Sequence, residues 1–479
     1  MIKTVLITPP LTLEERMGML AEGGAVMPTL GILYIASFIK KQGFPVEIID
    51  TEGLKMDIES AVQAIAEQNP DVLGITTTTV SIISAVKLAK EIKNKIPRIK
   101  IFLGGPHVTA VPKETMEDFT VIDGSILGDG EYSFLKVIQN IRDGIDFQQE
   151  VEGFAWRKNN EIIINPKKGH LNDLDLLPFP AWNILRGFPE IYRPSFHSYR
   201  RLPVANIITT RGCPYACAFC DRSVFGQKMH GHSIDYIIEM IRYLIKDFGV
   251  KEISIKDDMF VIKQERVFEF CRQLREKKID ISWSCNARVD NVNNEVLKEM
   301  RKAGCWMISY GIESGSSKML KKMVKGISKD HILNALRLSR KNGIVTKGFF
   351  MIGIPGETVK TMKDTLQFIK KLPLDELNIN CFTPFPGSKF YLEAIAEGFQ
   401  PDFSRMNLIN TVYITKGLTE NDLSNYQKKI IRSFYFKPSK IAWYILRALN
   451  SIDEFKRIYR MGKMSISVLL SGLKKKKRM

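Results

Sequence analysis

Along residues 1–145 the apolar positions follow two alternating rhythms. Short β-branched runs at 4–8, 46–50, 71–76, 100–103 and 121–125 read as buried strands. Between them, apolar residues recur at helical spacing over 30–42, 58–68 and 81–95. This alternation predicts a parallel, doubly wound sheet with its ligand at the carboxyl ends of the strands. Small and hydroxyl-bearing residues gather at those ends: Thr76, Thr77, Thr78 and Thr79, then Gly104 and Gly105, then Gly128-Asp129-Gly130-Glu131. Such residues let a bulky ligand approach the backbone and offer it hydroxyls and N–H groups. The loop after the first strand, through Gly23, Gly24 and Pro28, is rich in Gly and Met.

Beyond residue 150 the pattern changes. Runs at 153–157 and 161–165 flank Asn159-Asn160 and predict a hairpin, and a Pro-rich stretch at 171–182 reads as a connector. Tyr192, Phe196 and Tyr199 in this region are read as packing residues. From 202 onward, strands at 205–210, 252–255, 282–286, 306–309, 346–352 and 376–382 alternate with helical segments such as 234–248. Six strand–helix units make a partial barrel with polar residues at its carboxyl ends. The remainder is helical in pattern, punctuated by Lys437-Pro438, with apolar faces at 442–449 and 466–473 among basic residues. The expected division is an α/β domain at 1–148, a linker with a hairpin at 149–201, a barrel at 202–394 and a helical basic region at 395–479.

A chain of 479 residues is too long for one core. Its 44% hydrophobic and 25% charged residues are those of a soluble globular protein. The net charge of +18 is unevenly placed, because residues 437–479 carry twelve Lys/Arg against two acids. This tail, ending K-K-K-K-R-M, suits attachment to an anionic membrane surface, with a solvated tail as the alternative. No base-reading or stacking motif accompanies it, so nucleic acid is not an expected partner. Neither a signal peptide nor an apolar run near the ~20 residues of a membrane span is present. Of seven cysteines, Cys271, Cys285, Cys305 and Cys381 are scattered and form no disulfide framework. A reduced, cytoplasmic protein is expected, peripheral at the inner face of the membrane if the tail docks there.

The other three cysteines stand in T-T-R-G-C-P-Y-A-C-A-F-C-D-R, at Cys213, Cys217 and Cys220. Thiolates this close together share a metal centre or stand as reactive thiols. Three ligands leave one iron of a four-iron cubane open. A structural zinc would recruit a fourth ligand, for which His230 or His232 is available.

The C-x3-C-x2-C spacing, with Phe219 before the last cysteine, resembles the radical S-adenosylmethionine superfamily. The segments P-T-L-G-I-L-Y-I-A-S-F (28–38), D-V-L-G-I-T-T-T-T (71–79), L-G-G-P-H-V-T (103–109) and L-G-D-G-E (127–131) are similar to the cobalamin-binding domain that precedes the radical domain in one branch. That branch includes the anaerobic magnesium-protoporphyrin ester cyclase and the phosphinate and hopanoid methylases. Taken without it, residues 1–148 read as a flavodoxin-like domain. The D-x-H-x-x-G motif of other cobalamin proteins is absent, and the domain's one histidine is His107.

The resemblance implies a [4Fe-4S] cluster on Cys213, Cys217 and Cys220, S-adenosylmethionine on its open iron, and cobalamin in the first domain. It also implies a small-molecule or lipid substrate and a reductant such as flavodoxin or ferredoxin. Reductive cleavage of S-adenosylmethionine would give a 5′-deoxyadenosyl radical, followed by methylation of an unactivated carbon or by oxidative cyclisation. A non-catalytic cobalamin or iron–sulfur sensor is the alternative of another class. The S-adenosylmethionine contacts carried over are Phe219, Asp257, Arg288, Gly311, Glu313, Ser314, Gly353, Pro355 and Gly356. Arg288 would grip the carboxylate as a fork. Glu313, Ser314, Asp257 and Asp258 would accept from the ammonium and ribose, and 352–356 would wall the adenine. The cobalamin contacts are Thr76, Thr77, Thr78, Gly104, Gly105, His107, Gly128, Gly130 and Glu131.

Overall fold

A computed structural model describes residues 1–17, 24–195, 197–407 and 410–449, together with Tyr459. Gly23, Phe196, the apolar stretch 466–473 and the terminal basic run lie outside the described residues.

Strands β1 (Thr4–Thr8), β2 (Val46–Asp50), β3 (Val72–Thr76), β4 (Lys100–Gly104) and β5 (Gly124–Ile126) form a parallel sheet. Helices cover both faces, which is why β1 is buried throughout. Leu6 packs under Leu30, Leu33, Phe134 and Ile138 on one side. Val5 and Ile7 meet Ala61, Ile65, Ile82 and Ile92 on the other. The strand expected at 121–125 is shorter and later. Just before it, the Asp123 N–H donates to the Ile101 carbonyl at 2.9 Å, while the Asp123 carboxylate, in place of a backbone carbonyl, accepts the Ile101 N–H at 2.8 Å and pairs with Lys93 at 2.8 Å.

The hairpin β6 (Phe154–Lys158) and β7 (Glu161–Asn165) is part of this sheet. It continues from β5 in antiparallel pairing, so the strand order is β2-β1-β3-β4-β5-β6-β7. A Cβ on Gly124 would lie 2.4 Å from the Phe154 ring, so the bare backbone there admits the hairpin.

The second sheet holds β8 (Val204–Ile207), β9 (Glu252–Ile255), β10 (Ser282–Ala287), β11 (Cys305–Glu313), β12 (Val345–Ile352) and β13 (Glu376–Cys381). All neighbours are parallel and in sequence order. Side chains alternate across it. Ile253, Ile255, Trp283, Ile308 and Tyr310 enter the core beneath the helices, the Tyr310 hydroxyl reaching Ser339 at 2.9 Å. Their alternates, including Asn286, Ser309, Gly311 and Phe349, face a cavity. β11 runs on through Tyr310, Gly311, Ile312 and Glu313, which the sequence pattern placed in the following turn.

The helix Glu420–Tyr435 covers the open edge of β13. Gln427 Nε2 donates to the Ile379 carbonyl at 3.0 Å and Tyr435 Oη to the Leu377 carbonyl at 2.8 Å. Among the described residues no helix is long and apolar enough to cross a membrane.

Candidate active site

The carboxyl ends of both sheets open onto one cavity of about 790 Å³. The first domain contributes Thr76, Thr78, Gly104, Gly105, Gly128, Gly130 and Glu131 to its wall. Cys213, Cys217 and Cys220 stand in the wall contributed by the barrel domain, with Arg288 and Gly311 beside them.

The cysteine loop is shaped by its own backbone. Gly212 has φ +89°, and a Cβ there would sit 2.3 Å from the Lys228 carbonyl oxygen, so only glycine fits before Cys213. The Ala218 N–H donates to the Met323 carbonyl at 2.9 Å, and the Phe390 N–H to the Ala218 carbonyl at 2.9 Å. Asp257 anchors the start of the loop. It is fully buried and accepts from the Thr209 N–H at 2.5 Å and the Thr210 hydroxyl at 2.8 Å. Burial pushes its carboxyl up, and the Thr209 and Thr210 bonds oppose that. Its neighbour Asp258 lines the cavity, and burial raises its pKa as well.

Cys217 is drawn down to about 6, chiefly by a hydrogen bond from Cys220; burial opposes this, and the Lys325 and Arg288 charges reinforce it. Among the described residues no three metal donors converge on a single-ion position. Thiolates of a cubane each hold a different iron and need no common point, so this does not count against a cluster. Among the described residues no fourth ligand for a zinc stands with the cysteines. His232 Nδ1 is 3.1 Å from Asp175 and its Nε2 3.3 Å from the Tyr34 hydroxyl. His230 is held in a short antiparallel pair with Arg211.

The other expected contacts of the barrel divide. Arg288 lies over the Tyr215 ring at 3.7 Å, with Nη1 3.8 Å from Cys217 Sγ. Its Nε and Nη2 hold both Asp290 oxygens, at 3.0 and 2.9 Å. Glu313, at φ +66°, is buried in an ion pair with Lys325 at 2.8 Å. Gly311 makes room for that pair, since a Cβ there would fall 2.5 Å from Glu313 Oε1. Ser314 is buried against Thr365 at 3.1 Å and does not line the cavity. Phe219 packs with Ile354 and Phe382 outside the lining.

Gly353, Pro355 and Gly356 also stand away from the cavity wall. Gly353 N–H donates to Glu357 at 2.5 Å and Gly356 N–H to Thr415 at 2.9 Å, so this turn is closed on its own neighbours.

In the first domain the glycines form a cradle. Gly105 has φ +108°, and a Cβ would lie 2.5 Å from the Thr77 carbonyl oxygen. At Gly31 a Cβ would meet nothing within 4 Å, and at Gly104 nothing nearer than 3.9 Å, and both line the cavity. Bare backbone facing open space suits a broad, flat ligand such as a corrin. Thr77 is buried, with its hydroxyl donating to the Gly104 carbonyl at 2.9 Å, and so supports the cradle from behind. No histidine lines the cavity among the described residues.

His107 sits behind the wall, 1% exposed, with Nδ1 3.1 Å from the Thr79 hydroxyl. Its Nε2 has no partner, and burial lowers its pKa to about 4. The unfolded chain binds this proton near pH 6.5 and the folded chain only near 4. Stability therefore falls as pH drops from 6.5 to 4, by up to ~3 kcal/mol, and is unaffected by this group above 6.5. His107→Leu is expected to remove that acid-side loss. Chemical denaturation of both proteins at pH 7 and pH 4.5 measures it, and parallel pH dependences would contradict it.

Sequence reasoning passed over a residue that joins the two halves. Arg211, two positions before Cys213, is buried in ion pairs with Glu131 at 2.7 Å and Asp129 at 3.5 Å. The Tyr34 and Phe225 rings lie 5.1 and 5.3 Å from its guanidinium carbon. Asp129 is further held by Lys167 at 3.5 Å and His170 at 3.2 Å. Glu131, expected to contact cobalamin, lines the cavity while holding this arginine. An acid pair in G-D-G-E and an arginine in T-T-R-G-C were both visible, but nothing in the sequence pairs them.

Comparison with known proteins agrees with this geometry. Residues 17–138 match the B12 binding domain family and residues 207–369 the Radical SAM superfamily. An uncharacterized methyltransferase of Pyrococcus horikoshii is 30% identical over 442 residues, covering 91% of this chain and 93% of that one. The anaerobic magnesium-protoporphyrin IX monomethyl ester cyclase of Rubrivivax gelatinosus is 25% identical over 95% of this chain and 81% of its own. The solved structure of the cobalamin-dependent S-adenosylmethionine radical enzyme OxsB has the same fold, with TM-score 0.76 at 18% identity, over 98% of this chain and 72% of that one. With a glycine cradle and a three-cysteine loop facing each other across one cavity, the chain belongs to the cobalamin-dependent radical S-adenosylmethionine enzymes.

Proposed function

We propose that this enzyme methylates an unactivated carbon of a small or hydrophobic molecule. The observation that carries the reading is the shared cavity: Gly104 and Gly105 on one wall and Cys213, Cys217 and Cys220 on the other open onto the same space. When bound, the cluster supplies the electron that splits S-adenosylmethionine, and cobalamin supplies a carrier for the methyl group.

The protein's own part is placement and exclusion of water. Gly31 and Gly104 leave the face of the cradle bare, and Arg211 fixes the distance between the cradle and the cysteine loop. Arg288 and the Lys325–Glu313 pair lie beside Cys217, where charged groups of S-adenosylmethionine would find partners. Asp258, which among the described residues has no ion-pair partner, adds an acceptor on the same wall.

The helix Pro438–Ala448 leaves Ile441, Ile445 and Leu446 exposed, followed by Leu449, and the chain beyond it is basic. This supports docking on an anionic membrane surface, where a hydrophobic substrate would be collected.

The test is anaerobic. The reconstituted, cobalamin-loaded and reduced protein is given methyl-labelled S-adenosylmethionine, and 5′-deoxyadenosine and label on the corrin are measured. Both are expected. Deoxyadenosine without labelled corrin would replace methyl transfer by a radical cyclisation of the magnesium-protoporphyrin type. Neither, from protein with a full cluster, would leave a sensor.

A further inference from the structure

The barrel interior contains two lysines that nothing described so far uses. Strand alternation fixes where they point. On β12, Phe349 lines the cavity and Phe350 lies in the core, so Lys347, two residues before Phe349, shares the cavity-facing side. Register agrees, because Lys347 pairs laterally with Ser309, which lines the cavity. On β9, Ile253 and Ile255 are core residues, so Ser254 and Lys256 take the opposite face. Ser254 pairs with Ser284, which sets Lys256 level with Asn286, another cavity residue. Lys256, Asn286, Ser309 and Lys347 thus make one layer of the interior. It lies one step below the layer of Asp258, Arg288, Gly311 and Phe349 nearest the cysteines.

Neither ammonium group is in direct contact with an acid. Among the described residues neither has a hydrogen bond or a carboxylate within 4 Å. The nearest acid on the same layer is Glu376, paired in register with Lys347, and it accepts from the Tyr444 hydroxyl at 3.1 Å. Lys347 Nζ lies 5.3 Å from the centre of the Phe349 ring. Burial lowers both lysines from their ordinary range, the charge of Lys347 adds to the effect on Lys256, and the Glu376 carboxylate opposes the effect at Lys347. Lys256 is solvent-exposed and Lys347 half-buried, so both ammonium groups can be reached, and an anion between them relieves the repulsion of two like charges.

We propose that Lys256 and Lys347 form an anion subsite on the floor of the barrel, which binds a carboxylate or phosphoryl group of the substrate. The subsite rests on the methyl-transfer reading and refines it. A substrate held there by its charged end extends past Phe349 towards the cysteine loop, so the carbon to be attacked lies away from the anionic group. The rest of the molecule meets Phe349 and is apolar or aromatic where it does so. A neutral hydrocarbon would leave the repulsion between the two ammonium groups unrelieved and is disfavoured.

The experiment is calorimetric titration of the full-length, cluster-, cobalamin- and S-adenosylmethionine-loaded protein with phenyl phosphate, benzoate and, as a neutral control, phenol. One saturable site per chain is expected for at least one of the two anions, and the stronger of them identifies the group. Phenol is expected to bind at least about tenfold more weakly. Lys256→Met/Lys347→Met is expected to lose at least about tenfold in anion affinity, whereas Lys347→Arg retains binding. If the double variant fails to retain cobalamin, Lys256→Gln alone carries the same expectation. Anion binding that is absent, matched by phenol or unchanged in the variants overturns the subsite. Deoxyadenosine formation by the same unsubstituted preparation is a separate readout. Anion binding without S-adenosylmethionine cleavage sinks the methyl-transfer reading alone, and cleavage without anion binding sinks the subsite alone.

Discussion

Cys217→Ala is expected to lower 5′-deoxyadenosine formation to background and to deplete the protein of cluster iron. Cys217 is the most buried of the three cysteines and the one whose thiol is drawn down to about 6. Its thiol is thus the one of the three most readily converted to the thiolate, the form that binds iron. Two remaining thiols cannot hold a cubane at three corners. The fold should survive, because removing a single sulfur from a packed site costs only ~1 kcal/mol. Iron and sulfide analysis, with electron paramagnetic resonance of the reduced sample, reads the cluster directly. A variant that kept its cluster and still cleaved S-adenosylmethionine would remove the cysteine loop from the site.

Arg211→Met should cost ~3–5 kcal/mol of stability, the penalty for stripping the partner from buried charge. The arginine and both acids are each no more than 6% exposed at the side chain, so solvent cannot take the guanidinium's place. With Arg211 gone, Asp129 and Glu131 face one another with Lys167 and His170, both on Asp129, remaining. A drop of roughly 10 °C in melting midpoint is expected at ~2–4 °C per kcal/mol for domains of this size. Since the pair joins the cradle to the cysteine loop, cobalamin affinity should fall with it. The double variant Arg211→Met/Glu131→Gln should recover part of the stability, because it also removes one stranded charge. A single variant melting within about 2 °C of the unsubstituted protein would show that the pair is not a fastening.

The regular elements were legible because each is specified by neighbours in the chain. Helices 58–68 and 234–248 and strands 4–8, 46–50 and 252–255 fall where their periodicity placed them. The short β5 was misplaced because the carboxylate of Asp123, read within a strand, takes the place of a backbone carbonyl at Ile101 and pairs with Lys93. The role expected of Asp257 met a similar fate. Of two adjacent aspartates at a strand end, alternation turns one inward to Thr209 and Thr210 and the other to the cavity. Ser314 and the Gly353–Gly356 turn were named from motif position, but their polar groups are met by Thr365, Glu357 and Thr415. Motif spacing locates a turn; it does not say which way its donors point.

By itself the sequence determined the cysteine triad, the two α/β halves and the glycines at the strand ends, since spacing, periodicity and small side chains are local properties. Only the tertiary structure decided that both halves open onto one cavity. It alone decided that Arg211 is clasped by Glu131 across 80 positions of chain and that the hairpin belongs to the first sheet. Lys256 and Lys347, 91 residues apart in sequence, likewise become one layer only when six strands curve together. Partners this distant are selected by strand order, register and burial, none of which any short stretch of residues carries.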